Sequence, residues 1–191
     1  DTSGVKGYTA QFTPTPVRAN EERLNIADNA DVSVGNINFT FAAWARLDQS
    51  NKKMTILSKG NTGGTREYLL YYDNTSNRFV WSVTPSGGGA SVNVIANNFG
   101  APVVGSWNFI IAWHDPANNQ IGIQVNNGTP NFTSHSGGVA DYTSSFNIGA
   151  FIDIDDYEWS GKIDEVGLWK KLLTTQEKTD LWGAGWGNTL Q

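Results

Sequence analysis

The stretch Asp153-Ile154-Asp155-Asp156-Tyr157-Glu158-Trp159 gathers carboxylates and aromatic rings more densely than any other part of the chain. Three chemistries suit such a run. Retaining glycoside hydrolysis needs two carboxyls about 5–5.5 Å apart, one as nucleophile and one as acid/base. On a strand, residues two apart share a face, so Asp153 and Asp155 meet that requirement, while Glu158 needs a bulge. Calcium binding is the second, because Ca²⁺ takes about 6–8 oxygen ligands. A divalent ion would relieve the mutual repulsion of Asp153, Asp155 and Asp156. The third is sugar recognition, in which Tyr157, Trp159 and Tyr72 stack on C–H faces while Arg66 and Asp73 bond hydroxyls. A solvated acidic loop is the plain alternative to all three.

Other chemistries find little support. The chain has no Cys, which removes disulfides, zinc thiolates and cysteine nucleophiles. No G-x-S-x-G elbow occurs. Gly87-Gly88-Gly89 lacks the Lys-Ser/Thr and following helix of a phosphate loop. His114 and His135 are far apart and fit no metal-ligand pattern; His114, at a strand end, reads as a surface or turn residue.

The elements that must position these residues are short β-runs. Phe39, Phe41, Ala43, Ala45 and Leu47 alternate with polar or small residues, as do Phe79, Trp81 and Val83, and Ile121, Ile123 and Val125. A period of two predicts half-buried strands. Strands are expected at 8–13, 23–27, 37–47, 54–58, 67–73, 78–84, 90–96, 107–114, 120–125, 145–149 and 161–169, separated by Asn- and Gly-rich turns. Thr174, three residues before Glu177, reads as a capping box opening one helix that Gly183 closes. Trp44, Trp81, Trp107, Trp113 and Trp169 fall in strands and read as core. No repeat or linker appears, so residues 1–191 are expected to be one domain with its core over about 8–187.

Charge bounds the partners. The net charge is -5, and Lys and Arg never run longer than a pair, which speaks against nucleic acid. No apolar stretch reaches the roughly 18 residues of a spanning helix, so no membrane insertion is expected. Charged residues are 16% of the chain, their place taken by Asn, Gly, Ser and Thr. The start at Asp1 suggests a processed chain or a domain excised from a larger protein.

Four segments, in order, resemble the laminin-G-like domains of the concanavalin A-like lectin/glucanase superfamily. They are Phe39-Thr40-Phe41-Ala42-Ala43-Trp44; Ile56-Leu57-Ser58-Lys59-Gly60; Trp107-Asn108-Phe109 continuing to Val125-Asn126-Asn127-Gly128; and Gly161 to Trp169 followed by Leu173-Thr174-Thr175-Gln176-Glu177. The resemblance implies an all-β, two-sheet antiparallel jelly-roll sandwich with one short C-terminal helix. In many relatives a carboxylate on the terminal strand helps hold a structural calcium, which makes Asp164 a further metal candidate, with Asn20, Glu21 and Glu22 as counterparts. The Asp153–Glu158 run loosely echoes the catalytic strand of β-glucanases, yet its first position is Asp rather than Glu and it precedes the terminal strand as a loop would.

The expectation is therefore a non-catalytic module that binds a glycan or glycosylated surface, calcium-stabilised, and extracellular, cell-surface or virion-associated. Its ligand residues would be Tyr157, Trp159, Tyr72, Arg66 and Asp73, and its metal residues Asp153, Asp155, Asp156 and Asp164. Other domains of the parent protein are candidate partners. A structural or adhesion domain without a sugar site is the alternative, and a glycoside hydrolase the third.

Overall fold

A computed structural model describes residues 9–14, 22–61, 63–152 and 157–183. The strands are β1 (Ala10–Phe12), β2 (Leu24–Ile26), β3 (Phe39–Leu47), β4 (Met54–Lys59), β5 (Tyr68–Asp73), β6 (Arg78–Val83), β7 (Val92–Ile95), β8 (Trp107–Asp115), β9 (Gln120–Val125), β10 (Asn131–Ser134), β11 (Phe146–Ile148) and β12 (Gly161–Trp169). One helix, α1 (Thr175–Trp182), follows. They form two six-stranded antiparallel sheets, ordered β1-β12-β3-β8-β9-β10 and β2-β11-β4-β5-β6-β7. This is the predicted jelly-roll sandwich. Only β10 adds to the expected strands; its Asn131-Phe132-Thr133-Ser134 has no apolar alternation, because its side chains are half-buried or exposed at a sheet edge.

The main core lies between the sheets. Phe39, Phe41, Ala43 and Leu47 of β3 face Tyr68, Leu70, Phe79, Trp81 and their neighbours on the second sheet. The other face of β3 departs from the half-buried expectation. Ala42 and Trp44 are buried there with Phe109, Ile111 and Trp113 in a second cluster. Leu172, Leu181 and Trp182 cover it from α1 and the segment leading to it. Thr40 ties that segment to the sheet, donating to the Lys171 carbonyl (2.9 Å) and accepting from the Leu173 amide (3.2 Å).

The capping box is present. The Glu177 amide donates to Thr174 Oγ1 (3.2 Å), the Thr174 amide donates to Glu177 Oε2 (2.8 Å), and Gly183 closes α1 at φ 54°. Gly122 on β9 lets the helix-side cluster close up, because a Cβ there would stand 2.3 Å from the Trp113 ring. The turns use Asn where L-residues rarely go: Asn77, Asn119, Asn126 and Asn127 all have φ of 50–54°.

Candidate functional site

With α1 on the first sheet, the outer face of the second sheet is the other face to consider; its Thr55, Ser58, Leu69, Val80 and Ser82 are buried, while Tyr71, Asp73 and Arg78 are half-buried. Paired residues on antiparallel neighbours point the same way. Tyr68, Leu70 and Tyr72 point into the core, so Leu69, Tyr71 and Asp73 point out. In register with Tyr71 are Thr55 on β4 and Val80 on β6, and Asp73 pairs with Arg78.

Residues 149–152 and 157–159 run along the edge of β4 in this sheet. Ser58 Oγ donates to the Ala150 carbonyl (2.9 Å), the Thr55 amide to the Tyr157 carbonyl (2.9 Å), and Ile152 bridges to Asn61. Beside this strap lies a cleft of about 240 Å³, lined by Asn61, Gly64, Arg66, Thr84, Ser91 and Phe151. Gly60 makes it possible: at φ 122°, a Cβ would sit 2.3 Å from the Arg66 Cα, so only glycine lets Arg66 come this close to the end of β4.

The cleft is rich in hydrogen-bonding groups. Arg66 Nη2 donates to Ser91 Oγ, which is also 2.9 Å from Thr84 Oγ1. Asn61 Oδ1 accepts from the Gly63 amide (2.9 Å) and Thr65 Oγ1 (2.7 Å). Phe151 adds an apolar wall. At the other end of the face, Lys53 Nζ is 3.2 Å from Asp73 Oδ1 and 6.0 Å from the Tyr71 ring centroid. Burial pushes the Asp73 carboxyl up, but hydrogen bonds from Ser76 and the nearby Lys53 outweigh it and hold it below the ordinary range. A larger gap of about 500 Å³ opens at the sheet edge by β2 and β12, with Phe41, Phe146, Ile148, Val166 and Leu168 among its walls. It is mainly apolar and suits a hydroxyl-rich ligand less well.

The family model of the concanavalin A-like lectin/glucanases superfamily matches residues 19–177. The chain belongs to this superfamily. Among solved structures, its fold matches a native heptameric SAP-like pentraxin from Limulus polyphemus. The TM-score is 0.69 at 12% identity, covering 90% of this chain and 79% of the pentraxin. It also matches a Bacteroides ovatus protein provisionally described as carbohydrate-binding. There the TM-score is 0.63 at 18% identity, covering 88% of this chain and 45% of that one. Nothing among curated protein sequences matches.

On this superfamily fold the expected ligand residues separate. Arg66 lines the cleft, and Tyr157 and Asp73 are half-buried around the same face. Trp159 and Tyr72 do not offer rings there, which corrects the expected stacking platform. Trp159 is fully buried in the main core, its indole N–H donating to the Arg46 carbonyl (3.2 Å). Tyr72 is 1% exposed and donates to Asn77 Oδ1 (2.8 Å). Tyr71 is the ring that faces out. Its parity with Asp73, and that of Tyr72 with Leu70, was the available signal.

Of the metal candidates, Asp153, Asp155 and Asp156 lie outside the described residues, as do Asn20 and Glu21. Asp164 accepts from the Glu165 amide (2.9 Å) where β12 shifts register against β3. Among the described residues no three His, Cys, Asp or Glu side chains gather as a metal site. Glu158, the last carboxylate of the run, is 5% exposed and lies 3.6 Å from Lys52 Nζ. His114 is fully buried rather than at the surface, because β8 carries it inward to the ring of Phe39, 5.4 Å away. No helix among the described residues is long and apolar enough to cross a membrane.

Proposed function

We propose that this protein is a non-catalytic glycan-binding module that works outside the cell or on a cell or virion surface. The outer face of the second sheet is its binding face. The observation that carries this reading is the cleft in which Asn61, Arg66, Thr84 and Ser91 present hydrogen-bonding groups beside Phe151. Sugars need that combination of polar groups around an apolar wall. Tyr71, with Lys53 and Asp73, extends the face for further sugar residues. The description of the Bacteroides ovatus protein as carbohydrate-binding supports the same reading. Against hydrolysis stands the burial of Glu158, which is 5% exposed and lies 3.6 Å from Lys52 Nζ.

Calcium belongs to this proposal as a structural ion held by Asp153, Asp155 and Asp156. These follow Ile152, whose bridge to Asn61 brings the chain to the cleft. The Asp-rich donor set suits a hard cation. A melting temperature unchanged by chelator would remove calcium from the proposal, since an ion bound to the native state must stabilise it.

The test of the module is a broad glycan array probed in calcium-containing buffer with wild type and Arg66→Ala. Selective binding by the wild type, lost in Arg66→Ala at unchanged melting temperature, is expected. A silent array from folded protein would overturn the reading. A second reading, docking to other domains of a parent protein, is favoured by β2, where Leu24 and Ile26 are 56% and 53% exposed.

A further inference from the structure

The two histidines, 21 residues apart and without a motif, meet inside the protein. Their rings lie edge to face with centroids 5.2 Å apart, His114 fully buried and His135 4% exposed. His114 Nδ1 lies 2.9 Å from the Ile37 carbonyl and His135 Nε2 lies 2.9 Å from the Gly138 carbonyl. A carbonyl only accepts, so each of these nitrogens carries the proton and each ring is held as one neutral tautomer. His114 Nε2 is buried with no hydrogen-bond partner. Burial pushes both imidazoles below their ordinary range, and His135 adds to the lowering of His114. The charged group facing His114 from its own strand is Asp115, whose carboxylate is engaged by Asn118 and Gln120. The ring facing it from β3 is Phe39.

His135 opens a segment, 135–144, that holds both walls of the cleft. On one wall, the Ala140 amide donates to the Thr84 carbonyl (2.9 Å), and the Ser86 amide and hydroxyl donate to the carbonyls of Gly138 and Gly137. On the other, Ser144 Oγ is 2.9 Å from Thr65 Oγ1, and the Tyr142 amide donates to Glu67 Oε1 (2.9 Å). The Val139 amide also donates to the Gly35 carbonyl (3.1 Å), two residues before the Ile37 that fixes His114. One short segment thus joins the histidine pair to Arg66 on one side and Ser91 on the other.

We infer that segment 135–144 is an acid-sensitive latch on this cleft: protonation of the His114–His135 pair releases the segment and relaxes both walls. As a device for releasing a bound glycan it rests on the binding reading above; as a conformational switch it does not. Acid favours the open form because an imidazole freed to water recovers its ordinary affinity for protons. Each histidine can favour opening by about tenfold per pH unit below its ordinary value. Glu67 flanks the far end of the segment, facing Lys59 (whose ammonium also meets Asp28) and Asp141, and its titration has the opposite sign.

Hydrogen exchange measured by mass spectrometry, without ligand, tests this at pH 7.5 and pH 5.0 after correction for intrinsic rates. The comparison is wild type against the double variant His114→Asn, His135→Gln, whose amides keep the two N–H donors but do not titrate. In wild type, protection over 135–144, 61–66 and 84–91 should fall at least about tenfold at pH 5.0 while β3 and β12 hold. The variant should show no such fall. Unchanged wild-type protection at pH 5.0, a fall shared equally by β3 and β12, or the same fall in a folded variant would each overturn the latch. Because exchange is read without a sugar, a silent glycan array would overturn the binding reading and leave the latch intact.

Discussion

The ammonium of Lys178, on α1, stands 3.5 Å from the centroid of the Trp113 ring, on β8. It is the point at which the helix presses a charged group onto the aromatic outer face of the first sheet. The indole face attracts the cation. Burial opposes it and brings the lysine down to about 8.

That depression has a signed consequence. Above pH 8 folded Lys178 is neutral, whereas the unfolded chain keeps the proton up to about 10.4. The unfolded state then binds more protons, so stability rises with pH across that window. Chemical denaturation of wild type and Lys178→Met should show the variant more stable at pH 7, with the gap narrowing from pH 8 towards pH 10. A gap independent of pH would count against a depressed lysine.

Gly122→Ala should destabilise the protein by about 1–3 kcal/mol, the cost of overpacking a filled site. The new methyl would stand 2.3 Å from the Trp113 ring, which has Lys178 on it and Phe132 edge-on at a centroid distance of 5.7 Å. Thermal melts read the loss, and near-ultraviolet circular dichroism should show the displaced indole.

Lys59 and Glu67 are both fully buried and in direct contact, with Asp28 Oδ1 2.8 Å from the same ammonium. Lys59→Met should cost about 3–5 kcal/mol, because it leaves a carboxylate buried without its cation. Desolvation raises Glu67 to about 7 despite Lys59. The folded state therefore binds more protons between about pH 4.5 and 7, and this contribution to stability is complete below that window and lost as pH rises through 7. Glu67→Gln should abolish this part of the pH dependence in urea denaturation.

Tyr71 and Tyr72 offer the sharpest test of the binding face. Tyr71→Ala should weaken glycan binding by about tenfold while leaving the melting temperature nearly unchanged. Tyr72→Ala should cost about 3–5 kcal/mol, like other large core truncations, and leave the affinity of the folded fraction alone. The reverse pattern would place the ligand elsewhere.

Period-two alternation made the strands legible, and the capping box at Thr174 and Glu177 made the helix legible, because both signals are local. What was hidden depends on which layer covers which face. Trp159 follows the acidic run and reads as part of its rim, yet the chain turns there and sends the ring between the sheets. Tyr71 and Tyr72 carry the same side chain, so only the parity of Leu70 and Asp73 separates them. The meeting of His114 and His135 is set by the path of the 116–134 hairpin and its edge strand, for which no local pattern exists.

The strand order of the first sheet also bears on how the protein is made. β12 is inserted between β1 and β3, although it is the last of the described strands to be synthesised. Until residue 169 has left the ribosome, the exposed edge of β3 has no partner from its own sheet on that side. The Trp44–Phe109–Ile111–Trp113 cluster stays uncovered for longer still, until α1 arrives. A nascent chain of this kind carries an open strand edge beside a bare aromatic surface, the combination most prone to association between chains. Its folding yield will therefore depend on how fast residues 161–182 follow, and on what shields that edge while it waits.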